Sequence, residues 1–274
     1  MTAVATMDAA VAATLERAAA LRTRGLLKSA GVGLVALGVL VFTASQIGMS
    51  PGALVRGLPF MWDFLTRLLP PDLSYLPLLR AATIETIQIA VWGTLIAILL
   101  SVPFALLGAK NTTPHPIVFH ATRLFLNALR AINELVFALI FVSAVGLGPF
   151  AGVLAIALHA TGMLAKFCAE EIEGVDRGPI EAMQATGAGR LQVILFGIVP
   201  QVIPAFISYS IYRFDVSIRA ATILGLVGAG GLGFSLIKTM KLFKYHETAT
   251  CILVIFAIVL ISDWVCARVR ARIL

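Results

Sequence analysis

Apolar residues run through this chain in long, nearly unbroken blocks rather than in the one-sided stripes of a soluble helix. Blocks at residues 29–47, 81–107, 120–145, 150–167, 191–214 and 248–266 meet the rule of about 18 or more apolar residues for a span. At about 1.5 Å per residue each reaches across a hydrocarbon layer about 30 Å thick. Lipid offers no partner to free backbone groups, so each block must be helical. The pattern predicts an all-α, polytopic membrane protein of about six transmembrane helices.

Two stretches interrupt this rhythm. Residues 50–79 hold Pro51, Pro59, Pro70, Pro71 and Pro77 around an amphipathic piece, residues 54–69, with Phe60, Trp62 and Phe64. That composition predicts a helix lying in the outer interface. Residues 220–237, AATILGLVGAGGLGFSLI, are apolar enough for a seventh span. Gly225, Gly228, Gly230, Gly231 and Gly233 weaken a helix but let backbones approach closely, which predicts a re-entrant or packed outer segment instead. A seventh span would also carry the Arg268, Arg270, Arg272 tail outside.

The organisation that follows is a lead-in at residues 1–28, a first helix with its external segment at 29–80, and a membrane core at 81–274 with a polar loop at 170–190. The lead-in holds Arg17, Arg22, Arg24 and Lys28 and lacks the apolar core of a cleavable signal. Placing both termini in the cytoplasm puts the larger share of Lys and Arg inside, among them Lys166, Arg177 and Arg190. It also puts the polar loop inside.

Composition removes other classes. With 59% hydrophobic and 13% charged residues and a mean hydropathy of +0.97, a soluble domain is excluded. The formal charge of +7 is scattered over the ends of the blocks, so no nucleic acid partner is indicated. Cys168, Cys251 and Cys266 lack metal-ligand spacing and read as small buried residues; no metal is implied. Gly228, Gly230 and Gly233 satisfy G-x-G-x-x-G, yet the flanks hold no βαβ pattern. No G-x-x-x-x-G-K-[ST] occurs, so any ATP must be bound by another subunit.

Ionisable residues inside the blocks are the candidate chemistry. Arg130 and Glu134 are four apart in the third block, with Asn127 one turn earlier on the same face. Counted along a straight helix from Arg123, Glu134 lies about 15 Å deep. The three either pack as a satisfied group or line a substrate path or dimer interface. His159 reads as a packing hydrogen bond, and Glu85 and Gln88 as further packing groups. Arg213, Asp215 and Arg219 fall at the outer end of the fifth block. They form an ion-pair network, or else Arg213 or Arg219 meets an oxyanion, which a guanidinium fork matches.

Residues 178–200, GPIEAMQATGAGRLQVILFGIVP, hold the most specific signal. Pro179 suits a first helical position, Glu181 a first-turn acid and Gly187 a left-handed stop. Two turns are unstable alone, so a partner surface is expected to bury Ile180 and Met183. The stretch resembles the cytoplasmic EAA loop of ABC importer permeases: Glu181, Ala182, Gly187 and Pro200 match its pattern, while Met183, Gly197 and Val199 depart from it. Together with RAINELVFALIF at 130–141 and PQVIPAFISYSIYRFDVSIRAATILGLVGAGGLG at 200–233, the chain resembles the permease subunit of phosphonate ABC importers.

That resemblance implies a type I importer fold, a homodimer in a bacterial inner membrane and passage of phosphonate or a related phosphorus oxyanion by alternating access. It implies two ATP-binding subunits inside, coupled through residues 181–200, and an extracytoplasmic substrate-binding protein outside. ATP and Mg then sit on the partner, with no cofactor in this chain. A permease for methionine or another small substrate is the alternative. An ion-coupled secondary transporter using Glu134, Arg130 and His159 is the rival mechanism. No constellation for a membrane-embedded enzyme stands out.

Overall fold

The computed structural model describes residues 31–273, and among them all regular structure is helical. The lead-in at 1–28 and the start of the first block lie outside the described residues. The chain divides into two compact units, Met1–Thr66 and Arg67–Leu274. In the first, α1 is Gly31–Gln46, and α2, Pro51–Leu68, runs to the boundary with Pro59 inside it. Phe60 and Trp62 are exposed on α2.

The second unit opens on a short turn, Leu73–Tyr75, capped by Asp72. Asp72 Oδ1 accepts from the Ser74 amide at 2.9 Å and the Ser74 hydroxyl at 2.6 Å. These bonds, the hydroxyl's first, hold the carboxyl below its ordinary pKa. Then follow α3 (Leu76–Gly108), α4 (Pro116–Ala131), α5 (Glu134–Val145), α6 (Pro149–Gly174) and α7 (Arg177–Ala185). A single turn α8 (Arg190–Gln192) leads through a π-helical stretch, Val193–Ile198, into α9 (Val199–Leu224). The chain closes with α10 (Gly231–Lys241) and α11 (Tyr245–Ile273).

The core is built from small residues and a few large ones. Ala90, Ala138, Ala155, Ala220 and Ala221 lie buried with Ile89, Ile156, Phe137 and Leu224. Small side chains let helices approach where lipid gives no hydrophobic drive for them to associate. Large apolar residues such as Trp92, Phe256 and Leu260 point outward instead.

Four helices among the described residues are long and apolar enough to cross a membrane: Leu73–Gly108, Pro149–Gly174, Arg190–Val227 and Tyr245–Arg272. The third block, expected as one straight span, is instead α4 and α5 bent by 89° at Ile132 and Asn133. Asn133 causes the break: its Oδ1 accepts from the Leu135 amide at 2.8 Å and starts a new helix. A short polar side chain that captures the backbone this way competes with helix continuation. The bend also removes the straight-helix depth assigned to Glu134.

The fifth block differs too. Helix α9 does not stop at Phe214 but runs to Leu224. Residues 220–237 form no seventh span: they are the end of α9, a glycine turn and the start of α10. The turn packs back tightly, and a Cβ on Gly233 would lie 1.9 Å from the Thr222 carbonyl oxygen. The Leu232 amide donates to Thr86 Oγ1 at 2.8 Å, tying α10 to α3. Gly225 and Gly231 are crowded too, with a Cβ 2.5 Å from the Gly230 carbonyl and the Thr86 hydroxyl respectively, and Gly228 and Gly230 face Leu147 and Glu85.

Candidate functional site

Helix α7 is where the polar loop takes shape. It begins earlier than its proline suggests, because Asp176 caps it by accepting from the Gly178 amide at 3.1 Å. Pro179 is therefore not the first helical residue, and Glu181 lies beyond the first turn. Gly187 does end the helix with φ of +77°. Its amide and that of Ala188 donate to Gln184 and Met183 carbonyls at 3.0 and 3.2 Å.

The face carrying Ile180 finds its cover within the chain, so no partner is needed for that purpose. Ile180 packs on a cluster that includes Cys168, Ile172, Ile198 and Val202. Gly197, a departure from the loop pattern, lies against it: a Cβ there would sit 3.6 Å from Ile180 Cα. Glu181, Ala182, Gln184 and Ala185 are exposed, and Met183 is half-buried. A cavity of about 670 Å³ beside α7 is lined by Lys110, Arg177, Glu181, Gln184 and Arg190, among others.

Two residues that sequence reasoning did not single out fasten this region. Gln201 on α9 accepts from the Asp176 amide at 3.0 Å and donates to the Gly197 carbonyl at 2.6 Å. Arg190 donates to the Thr112 carbonyl at 2.7 Å, in the loop between α3 and α4. The π-helical stretch follows from Pro200, the second residue of α9, which has no N–H for a normal helical bond. The Val199 amide reaches back to the Ile194 carbonyl, widening the turn.

The intramembrane polar residues regroup. Glu134 does not pair with Arg130 as helix spacing suggested. The break turns it toward Arg213, whose Nη2 lies 3.3 Å from Glu134 Oε2. His159 Nε2 lies 3.6 Å from the same oxygen, and its Nδ1 meets the Ile132 carbonyl at 3.0 Å. Arg213 is 1% exposed and sits within α9, eleven residues before its end at Leu224 rather than beside it. It does not share a cluster with Arg219. Arg219 instead bridges Asp215 at 2.6 Å and Asp263 of α11 at 2.8 Å.

Arg130 lies over the Phe167 ring, 5.7 Å from its centroid. Asn127 Oδ1 accepts from Lys166 Nζ at 3.2 Å. Lys166, which the charge bias sets at the inner end of its block, lies within α6, since that helix continues to Gly174. Among the described residues no group of His, Cys, Asp and Glu could hold a metal ion, and Cys168, Cys251 and Cys266 are free and buried.

Comparison with known proteins fits this architecture. The family model described as "Binding-protein-dependent transport system inner membrane component" matches residues 97–274. The phosphite transport system permease protein PtxC of Stutzerimonas stutzeri is 42% identical over 230 residues, 84% of each chain. The phosphate-import permease protein PhnE of Mycolicibacterium smegmatis is 39% identical over 234 residues, 85% of this chain and 44% of that one. In fold, the chain resembles a subunit of the MetNI methionine ABC transporter in inward-facing conformations, with TM-score 0.64 and 17% identity over 74% of this chain and 99% of that one. The fold is thus that of the type I ABC importer permeases. The chain belongs to the family of inner membrane components of binding-protein-dependent transport systems, the permease subunits of ABC importers.

Proposed function

We propose that two copies of this chain form the membrane pathway of an ATP-driven importer for phosphite, phosphate or phosphonate. The substrate class is supported by the identity to permeases named for phosphite and phosphate import over most of this chain. The likeness to methionine permeases is more distant, at 25% identity over 65% of this chain in sequence and 17% in the solved structure.

The observation that carries the mechanism is the two-sided character of α7. Its Ile180 side is packed into its own chain, while Glu181, Ala182 and Ala185 face outward. A helix held this way passes on any push it receives. Gln201 and the Ile180 contacts link α7 to the end of α6 and the start of α9, so a displacement of α7 reaches both membrane helices. We assign the outward face to an ATPase subunit, one per copy, on the cytoplasmic side with both termini. ATP and Mg belong to that subunit. Closure of the ATPase pair draws the two α7 helices together and opens the pathway outward, where a binding protein delivers the anion. Hydrolysis reverses it.

The substrate assignment is tested by competition. Proteoliposomes holding the complete complex should take up labelled phosphite, and unlabelled phosphate or methylphosphonate should compete. Competition by methionine alone would contradict it.

A further inference from the structure

Helices α4 and α6 run antiparallel and meet through a ladder of polar contacts. At one end Arg123 of α4 meets Glu170 and Glu173 of α6 at 3.6 and 3.1 Å. At the other, next to the helix break, Glu134 meets His159 and Arg213. Both ends are compensated: each cation has a carboxylate. The middle rung is different.

There, Asn127 and Arg130 project from α4 and Lys166 from α6. Lys166 Nζ donates to Asn127 Oδ1 at 3.2 Å, a neutral partner. Arg130 spreads over Phe167. Among the described residues neither cation is ion-paired with a carboxylate, whereas Arg123 and Arg213 meet theirs at 3.1 to 3.6 Å. Asn127 and Arg130 are exposed and Lys166 is half-exposed, so the rung opens away from the core. Its geometry is held firmly. Gly162, one turn before Lys166, lets α4 come so close that an added Cβ would lie 2.8 Å from Leu129 Cβ and 3.2 Å from the Arg130 backbone nitrogen.

Two positive charges without a counter-charge are costly within a membrane unless they face water or an anion. Lipid tails supply neither. Lys166 stands eight residues before the end of α6, about 12 Å along the helix and one turn inside Glu170, where the acidic end of α6 begins. A planar fork beside a compact ammonium and an amide is a donor set suited to a tetrahedral oxyanion.

We infer that Asn127, Arg130 and Lys166 form an anion-binding station on the transport pathway, occupied by the phosphorus oxyanion during its passage. This rests on the function proposed above and adds Lys166 as a residue that holds the transported charge. The station lies between the compensated Glu134, His159 and Arg213 group and the end of α6 that leads to α7. A passing anion supplies the counter-charge that the protein withholds, and the neutral Asn127 leaves it free to go on.

The test uses the full complex in proteoliposomes, with ATPase, binding protein and labelled phosphite. Uptake and ATP hydrolysis are measured together for wild type, Lys166→Gln, Arg130→Gln and Lys166→Arg. Losing a charge-assisted contact should cut uptake about tenfold in each Gln variant while stimulated ATP hydrolysis stays within about twofold, and Lys166→Arg should retain most uptake. Co-purification of the ATPase in normal ratio shows that the variants are assembled. If wild type takes up phosphite and both Gln variants do so equally well, the station is wrong and the importer reading stands. If wild type itself takes up no phosphorus oxyanion, the importer reading falls, and the station with it. Unchanged uptake in Lys166→Gln combined with less co-purified phospholipid phosphorus would give the site to a lipid headgroup, also overturning the proposal.

Discussion

Arg213 of α9 and Glu134, the first residue of α5, meet at 3.3 Å, joining the helix break to the long helix that follows the polar loop. Arg213 is almost wholly buried, and its Nε has no partner among the described residues. Removing the carboxylate would leave a buried cation with the Met163 sulfur, 3.8 Å from Nη1, as its remaining side-chain hydrogen-bond contact among the described residues. Losing one member of a buried pair costs about 3–5 kcal/mol. Glu134→Gln should therefore lower the thermal midpoint of the detergent-solubilised complex by several degrees. Glu134→Leu combined with Arg213→Met should recover part of it, since an apolar pair carries no stranded charge. An unchanged midpoint in Glu134→Gln would show that the pair is not holding the break in place.

The stop after α7 gives a second prediction. Gly187 has φ of +77°, which a β-branched residue adopts only at a cost of about 1–3 kcal/mol. Gly187→Val should unwind the end of α7 and uncouple transport while the chain still inserts. Glu181→Lys, on the exposed face, should do the same by reversing the charge presented to the ATPase. Wild-type uptake and wild-type ATPase stimulation in both variants would remove the coupling role from α7.

How much of this was legible in the sequence depends on the kind of signal. Apolar blocks marked the spans because a bilayer demands long apolar helices, and Gly187 announced a helix stop because few residues accept its backbone shape. The break at Asn133 was missed although an Asn followed by Glu134 is itself a helix-start signal. The surrounding apolar run hid it. A straight rod through α4 and α5 sets Glu134 against Arg130, four residues away, whereas the fold sets it against Arg213, 79 residues on. Partners that distant are set by tertiary packing, which no local spacing encodes. The same limit explains Gln201 and Lys166: each looks ordinary until the helix facing it is known.

The glycine turn before α10 makes a steric prediction. A Cβ on Gly233 would fall 1.9 Å from the Thr222 carbonyl oxygen, which is backbone and cannot swing aside. Gly233→Ala should reduce the yield of folded protein sharply, read as the monodisperse fraction after solubilisation. Gly38→Ala in α1, where nothing lies within 4 Å, should leave it unchanged. Equal yields would mean the turn is not packed as described.

Asp72 gives a pH prediction outside the membrane. Its folded pKa lies below the ordinary carboxylate value, chiefly through the Ser74 hydroxyl and then the Ser74 amide. The cap therefore contributes fully above the unfolded value of about 3.9 and is lost as pH falls through the lower folded value. Exchange protection of the Ser74 amide should persist at about pH 4 and disappear at lower pH, whereas Asp72→Ala should lack it throughout. Protection lost between pH 6 and 5 would contradict the assigned cause.

The measurement closest to the central claim is uptake of a phosphorus oxyanion into proteoliposomes holding this chain, with and without its ATPase and binding protein, and with ATP on the ATPase side. The account predicts uptake only when both partners and ATP are present. Uptake by the chain alone, driven by an ion gradient, would contradict it and make Glu134, His159 and Arg213 a relay instead of a fixed structural group.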